Sequence, residues 1–384
     1  KGGSTPPAAT TQAVAPPVVT THTAQPLMPH VVHLAPVSTI PFVEMFSGVG
    51  SASHYLKQWF HPTAAFDSDP AAQAVMAKHF PACAMAADCE SILAGGLGTA
   101  KFAAAAKHAR VAIASPPCSQ TSVVNKQRDE SSPTAMLSVT VLKLLEYFPF
   151  EVFVLESTPG LASALGGRLM AAMFALVSAL PIPYVPHLLH IDPLHLGSSQ
   201  GRARLLIAFV RWDVFQQRGA FMPPVLYRAA SPAPPLSSIL DAHDGLCDGA
   251  ASDWIKTDIV HRDDYLGAHL DFTKVVDGKT IKCYGVTGTC PTVTSDPIWV
   301  AVPSPTGMCF RKLRTSERGR AQGMPEELVR SMPADLADRM IGRATERHTM
   351  QAVGEYIHSY IGPTAPPMPK VPTIKQRVLS AAPP

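Results

Sequence analysis

Residues 40–60 read IPFVEMFSGVGSASHYLKQWF, and the change of texture inside this stretch decides the fold. The apolar run IPFVEMF has the content of a strand buried on both faces. SGVGS supplies glycines where the chain must turn tightly, and SASHYLKQWF continues as a helix. The same rhythm repeats downstream. TAAFDSD is a strand ending in acids, and PAAQAVMAKHF a helix with proline at its first position. RVAIAS is a further strand, followed by a polar loop. TAMLSVTVLKLLEYF is helical and leads into the strand FEVFVLE. A helix from about Leu161 to Leu180 precedes two more strands, YVPHLLHI and ARLLIAFV. Apolar strands alternating with helices specify a mostly parallel sheet covered on both faces. Residues 39–212 are therefore expected to be a doubly wound α/β unit.

Outside that unit the pattern changes. Residues 213–300 carry Pro-rich and acidic loops, such as MPPVLYRAASPAPPLSSIL and DAHDGLCDGAASD, with short β-like pieces, TIKCYGV and PIWVAV. This predicts a small, mostly irregular and β domain. Helical pattern returns over 301–362, a segment expected to rejoin the α/β unit beside the first strand. Residues 1–38 and 363–384 offer no periodic apolar face and read as linkers or tails. The chain begins with Lys1, as a domain cut from a longer polypeptide would.

Composition narrows the class. The 384 residues are 46% hydrophobic and 16% charged, enough apolar content for a substantial core. A net charge of +3 neither requires nor excludes a polyanionic partner, because a local basic face is what matters. The longest apolar candidate for a membrane span, LMAAMFALVSAL, has 12 residues, short of the roughly 18 that a bilayer needs. No membrane partner is expected. The seven cysteines, at 83, 89, 118, 247, 283, 290 and 309, form no CxxC pair. Neither a zinc ribbon nor a disulfide framework is expected, and an intracellular setting follows, the nucleus in a eukaryote. His187, His190 and His195 read as packed strand and loop residues, so no metal site is assigned.

In an open α/β sheet, ligands bind outside the carboxyl ends of the strands, and the conspicuous polar residues fall there. The first strand ends in Phe46, Ser47, Gly48 and Gly50. The second ends in Asp67, 21 residues after Phe46, a spacing that suits an acid for ribose hydroxyls; by itself Asp67 would serve equally as a helix N-cap before Pro70. Asp88 follows a short third strand. SPPC ends the next strand, and Glu156 the one after. Cys118 is either a packed thiol or a nucleophile, stiffened by Pro116 and Pro117 and followed by a polar loop suited to a lid. At an ordinary thiol pKa of about 8.5, a cationic neighbour would raise its thiolate fraction. Arg202 and Arg204 alternate into a strand and can supply that charge.

These residues, in this order, resemble the C5-cytosine methyltransferase family. EMFSGVGSAS, FDSDPAAQAVMAKHFP and ADCESI are similar to its first three motifs. SPPC resembles the catalytic Pro-Cys motif, LEST the Glu-Asn-Val motif, QGRAR the Gln-x-Arg-x-Arg motif, and FRKLRTSERGRAQGMPEEL the ninth motif. The resemblance covers about residues 40–212 and 283–360. It implies a Rossmann-like, S-adenosylmethionine-dependent methyltransferase fold with a target-recognition domain in residues 213–300. It also implies Cys118 as the nucleophile at cytosine C6, Glu156 on N3 and the 4-amino group, and Arg204 with Arg202 on O2. Phe46, Ser47, Gly48, Gly50, Asp67, Ser68, Asp88, Cys89 and Pro117 would surround S-adenosylmethionine. Ser119, Gln120, Gln200, Arg311, Arg314, Arg318 and Arg320 would contact double-stranded DNA, with a flipped-out cytosine. The implied enzyme is a monomer. The chain departs from the pattern at Ser51, Ser119, Ser157 and Arg343, the last standing where an asparagine is expected. Two rivals remain: a tRNA-methylating branch that shares the SPPC form, and a relative that binds without turnover.

Overall fold

The computed structural model describes residues 39–362, apart from 96–98, 123–124, 220–232, 243–246, 249–250, 257–269 and 306. The expected tails at 1–38 and 363–384 lie outside the described residues, as do parts of the loop-rich segment between 220 and 269.

Seven strands form the main sheet: β1 (Ile40–Met45), β2 (Phe60–Phe66), β3 (Ala84–Ala86), β4 (Val111–Ala114), β5 (Val152–Ser157), β6 (Tyr184–Ile191) and β7 (Arg204–Arg211). Their order is β3-β2-β1-β4-β5-β7-β6. Every pair is parallel except those of β7, which runs antiparallel to both neighbours. Successive side chains on a strand point to opposite faces, and the core divides accordingly. Phe42, Ile113, Val154, Leu206 and Ala208 join one apolar cluster, while Val43, Met45, Ala112, Phe153 and Phe209 join the other. The helices are α1 (Ser51–Leu56), α2 (Pro70–His79), α3 (Cys89–Leu93), α4 (Thr99–Ala106), α5 (Pro133–Thr140), α6 (Arg168–Ser178), α7 (Trp212–Arg218), α8 (Thr315–Ala321), α9 (Glu326–Ser331), α10 (Ala334–Arg343) and α11 (Arg347–Ile361). The first cluster is closed by α1, α10 and α11, the second by α4 and α6. The mostly parallel, doubly wound reading holds. Val353 and Ile357 of α11 share a cluster with Leu56 of α1 and Phe42 of β1.

Two helices differ from their sequence reading. SASHYLKQWF stops being helical at Leu56, because Phe60 already pairs with Ile40 in the sheet. The segment from Pro159 to Ser178 is long and apolar enough, by length and composition, to cross a bilayer. It is broken, however, where Leu165, Gly166 and Gly167 take positive φ, so a 3-10 stretch and α6 follow one another rather than forming one rod.

The second sheet has five strands in the order β12-β11-β10-β9-β8. They are β8 (Ile255–Lys256), β9 (Leu270–Val276), β10 (Lys279–Gly285), β11 (Trp299–Ser304) and β12 (Gly307–Lys312). This sheet runs past the boundary expected at 300, because β11 pairs with β10 on one side and β12 on the other. One of its faces carries Trp254, Phe272, Cys283, Trp299 and Phe310 as a small separate cluster. Tyr284, Val300 and Val302 pack into the first cluster of the main sheet.

The expectation that every cysteine is free is corrected here. Cys247 and Cys309 form a disulfide, with Cα atoms 5.4 Å apart. Asp248 N–H donates to Phe310 O, and Asp248 Oδ2 accepts from Lys312 N–H. The chain at 247–248 is thus laid along the open edge of β12, which brings together two cysteines 62 residues apart.

Candidate active site

The turn after β1 is built for close approach. Phe46, Gly48 and Gly50 all have positive φ, and a Cβ on Gly50 would lie 2.2 Å from Met76 Sδ. Ser47 N–H donates to Phe66 O, and Gly48 N–H donates to Asp67 Oδ2 at 2.7 Å. The ends of β1 and β2 are thereby tied together with Asp67 between them. Burial pushes the Asp67 carboxyl up, against the N–H groups of Asp69 and Gly48, which pull it down. The helix cap before Pro70 is Asp69, whose Oδ1 accepts from Ala71 N–H at 2.9 Å, so Asp67 is left facing the strand ends. Ser68 is exposed. Beneath the turn, buried Glu44 accepts from Ala52 N–H, Ser53 N–H and the Ser53 hydroxyl, and burial pushes its carboxyl up to about 7.

At the end of β3, Asp88 Oδ1 caps α3 (Cys89–Leu93) through Ser91 N–H at 2.6 Å. The Cys89 side chain is turned into the core, its thiol pushed up to about 12 by burial, so the side-chain contact expected of it is not presented to the crevice.

These groups fit a nucleoside cofactor. Asp67 is half-buried and each of its oxygens keeps an unused lone pair, while the Asp88 carboxylate spends a single oxygen on its cap. Such acids accept from ribose hydroxyls and from an exocyclic amine, and the positive-φ turn at Phe46–Gly50 is tied to Asp67 through Gly48 N–H.

Cys118 follows β4, with Pro117 exposed before it. Its carbonyl accepts from Thr121 N–H and the Thr121 hydroxyl, each at 3.2 Å, which curls the chain back directly after the thiol. Glu156, at the end of β5, and Arg204, at the start of β7, meet at 2.7 Å, both more than nine-tenths buried. Glu156 pairs with Leu206 in the antiparallel register, so Arg204 lies diagonally opposite on the same face. Burial and the Glu156 carboxylate push the Cys118 thiol up, while Arg204 and Arg202 pull it back. Sequence-distant Cys118, Glu156 and Arg204 are thus brought within electrostatic reach of one another.

Arg202 behaves differently from the role expected of it. Its Nη1 donates to Val293 O at 2.6 Å, and its Nη2 to Gly342 O and Ala344 O at 3.1 Å each. It is a buried clamp on three main-chain carbonyls. Gln200 is equally committed. It is fully buried, donates to Ala321 O and Gln322 Oε1, and accepts from Val293 N–H, which corrects its expected contact with nucleic acid. Ser119 is exposed, but Gln120 Oε1 accepts from Asp129 N–H. Glu130 Oε2 accepts from Leu165 N–H at 2.5 Å. The far part of the expected lid is therefore anchored, and residues 123–124 lie outside the described residues.

The arginine block is also corrected. Arg311 makes a bidentate pair with fully buried Glu317 at 2.7 Å, and Arg318 pairs with Asp338 at 2.7 Å. Arg320 and Arg314 both turn to Asp241, at 2.6 and 3.7 Å. Four basic residues that looked available for phosphate instead fasten α8 (Thr315–Ala321) to its surroundings. Sequence reading gave Asp241 no role, since an acid in a Pro-rich loop carries no signal of its partner. Lysines on the outer face of the second sheet stand apart from this network. Lys274 Nζ lies 4.6 and 4.4 Å from the ring centres of Trp254 and Trp299, and Lys312 Nζ lies 5.5 Å from that of Trp299. Register places Lys256, Phe272, Trp299 and Lys312 on this one face.

A separate cavity of about 320 Å³ lies among His54, Lys57, Glu327, Arg347 and Gln351 and contains none of the crevice residues. No cluster suited to a metal ion occurs among the described residues.

Residues 40–245 match the family described as C-5 cytosine-specific DNA methylase. No curated protein sequence matches. Among solved structures, an E. coli prophage protein assigned as a DNA modification methyltransferase superposes with a TM-score of 0.59 at 16% identity, covering 84% of this chain and 99% of that one. The Entamoeba histolytica methyltransferase EhMeth gives 0.56 at 13% identity, over 84% and 98% of the two chains. The S. pombe Dnmt2 methyltransferase gives 0.54 at 14%, over 85% and 99%. At such identities these structures support the fold, which is the Rossmann-like arrangement described above.

Proposed function

The chain belongs to the C-5 cytosine-specific DNA methylase family, and from that premise we propose that it methylates C5 of cytosine in DNA, with S-adenosylmethionine as donor and Cys118 as nucleophile. The observation that carries this reading is the buried Glu156–Arg204 pair at 2.7 Å beside Cys118, on adjoining strand ends.

Cytosine C5 is a weak nucleophile, and its carbons are unreachable inside a duplex, so the base must be flipped into the crevice. The Cys118 sulfur adds to C6, and the electron pair of the C5–C6 bond becomes available at C5. Glu156 holds N3 and the 4-amino group and stabilises N3 protonation as charge flows into the ring. Arg204 faces O2, where negative charge develops, and works in a dry site where its charge is weakly screened. S-adenosylmethionine, when bound, supplies the methyl group that the activated C5 takes up. Loss of the C5 proton then restores the double bond and expels the Cys118 sulfur. Asp67 holds the donor's ribose hydroxyls, Asp88 its adenine amine, and the turn at Phe46–Gly50 lies under it. Because the arginines of the ninth motif are spent on carboxylates, phosphate contacts fall to the outer lysines of the second sheet, Lys274 and Lys312, seated on tryptophan rings.

The test is covalent trapping on DNA containing 5-fluorocytosine in the presence of S-adenosylmethionine, for wild type and Cys118→Ser. An adduct that disappears in the variant supports nucleophile, donor and substrate together. An adduct on tRNA but not on DNA moves the substrate to RNA. Cofactor binding with no adduct on either leaves a binding protein and overturns the enzymatic reading.

A further inference from the structure

We propose that the cavity between the end of α1, the α8–α9 turn and the start of α11 is a second ligand site. It takes a small organic phosphate, with the anion at Lys57 and Arg347 and hydroxyls at Glu327. The cavity shares no residue with the crevice that holds Cys118 and Asp67, so the inference stands apart from the reading of the reaction.

Arg347 is set in place by its surroundings. Its main-chain N–H donates to Gln322 O at 3.1 Å, and its Nε donates to Gln351 Oε1 at 3.1 Å. Its aliphatic stem lies across Gly323, where φ is +69° and a Cβ would come within 2.5 Å of Arg347 Cβ. Only glycine meets both conditions there. Stem and Nε are thus engaged, while neither Nη atom has a hydrogen bond or ion pair among the described residues.

Lys57 and Glu327 line the same cavity, whose volume is about 320 Å³. Burial, aided by His79, pushes the His54 imidazole down to about 4, so the ring is neutral near pH 7. Glu327 pulls that imidazole up and Lys57 pulls it down, so both charges stand near one ring. The buried His54 Nε2 has no hydrogen-bond partner. Glu327 nonetheless makes an ion pair with neither cation, and none of the three has another ionic partner among the described residues. Elsewhere the pattern is the opposite: Arg204, Arg311, Arg318 and Arg339 each hold a carboxylate within 3.1 Å.

Separated, unpaired charges select the ligand. Two cations against one acid leave an excess of positive charge, which favours an anion. A guanidinium and an ammonium together suit the several oxygens of a phosphate, through charge-assisted hydrogen bonds. A carboxylate only accepts, so Glu327 repels the phosphate and takes hydroxyl donors at the ligand's other end. A volume of about 320 Å³ stands at the small end of ligand pockets. That suits a sugar phosphate.

The experiment is isothermal titration calorimetry with ribose 5-phosphate, inorganic phosphate and ribose. Wild type is compared with Arg347→Ala, Lys57→Ala, Glu327→Gln and Lys101→Ala, the last an exposed lysine of α4 on the other face of the sheet. Wild type should bind ribose 5-phosphate more tightly than either fragment. Arg347→Ala and Lys57→Ala should each weaken it by about tenfold or more, the scale of a charge-assisted hydrogen bond. Lys57 has no bond to lose, so its variant separates lost recognition from lost packing. Glu327→Gln should narrow the advantage of ribose 5-phosphate over inorganic phosphate, and Lys101→Ala should match wild type. No binding by wild type, or affinity that survives in both cation variants, would overturn the proposal. So would displacement by S-adenosylmethionine, which puts the sugar phosphate in the crevice, or by duplex DNA, which makes the cavity part of a nucleic-acid path. Failure of the cytosine reading is registered separately, by the trapping experiment.

Discussion

Glu156 and Arg204 sit diagonally across the antiparallel junction of β5 and β7 and hold each other at 2.7 Å, both buried. The pair is the electrostatic switchboard for Cys118. The carboxylate of Glu156 opposes a thiolate, the guanidinium of Arg204 favours it, and burial opposes it most strongly.

The first prediction follows from those signs. Replacing Glu156 by Gln removes the negative neighbour and releases Arg204, so the Cys118 thiol should titrate at lower pH. Alkylation of Cys118 by iodoacetamide near neutral pH should speed up several-fold, by about tenfold per pKa unit gained. Methyl transfer should fall, since the proposed contact of Glu156 with N3 would be lost. Arg204→Ala should slow the alkylation. Mass-spectrometric pH–rate profiles read both variants, and an alkylation rate in Glu156→Gln equal to or below wild type would refute the arrangement.

Glu317 governs stability rather than chemistry. It is fully buried, pairs with Arg311 through both oxygens, and accepts from Asp241 N–H and Arg314 N–H. Glu317→Gln strands the Arg311 charge in the interior, at a cost of about 3–5 kcal/mol. Chemical denaturation should register that loss, whereas Arg330→Ala on the exposed Arg330–Glu326 pair should cost under about 1 kcal/mol.

The lysine face predicts a salt effect. Lys274→Ala and Lys312→Ala should each weaken DNA binding across all sequences and reduce the salt slope of affinity by about 1. Arg318→Ala, whose charge is spent on Asp338, should lower stability and leave that slope unchanged. Fluorescence anisotropy at several salt concentrations separates the two behaviours; a slope that drops for Arg318→Ala and not for the lysines would reverse the assignment.

Glu44 gives a pH dependence whose sign is fixed by its raised carboxyl, from 4.5 to about 7 in the folded protein. Between those values the folded state binds more protons than the unfolded chain, so the stability contribution is full below 4.5 and is lost as pH rises through about 7. Glu44→Gln should flatten this fall, which is at most about 3 kcal/mol. Melting temperatures of both proteins from pH 4.5 to 8 check it, and parallel curves would refute it.

Much of this protein is legible along the chain. The apolar strands alternating with helices gave the doubly wound sheet, because side-chain period and burial on both faces are local properties of sequence. The strand-end rule likewise picked out Asp67, Cys118 and Glu156 before any contact was known. What the chain order does not contain is which charge meets which. RKLRTSERGR displays five cations and one acid, a profile suited to phosphate, yet Asp241 and Asp338 come from other segments to meet three of them. Cys247 and Cys309 show no recognisable spacing, since their proximity is made by a segment folded along the edge of β12.

Sequence by itself therefore determined the sheet, its two covering layers and the residue types along its carboxyl edge, all set by periodicity and by glycine and proline chemistry. Tertiary structure alone decided that Arg204 meets Glu156, that Arg202 and Gln200 are buried struts, and that Lys57 and Arg347 line one cavity. A cation's partner depends on distance and burial in three dimensions, and neither quantity is written in the spacing of residues along a chain.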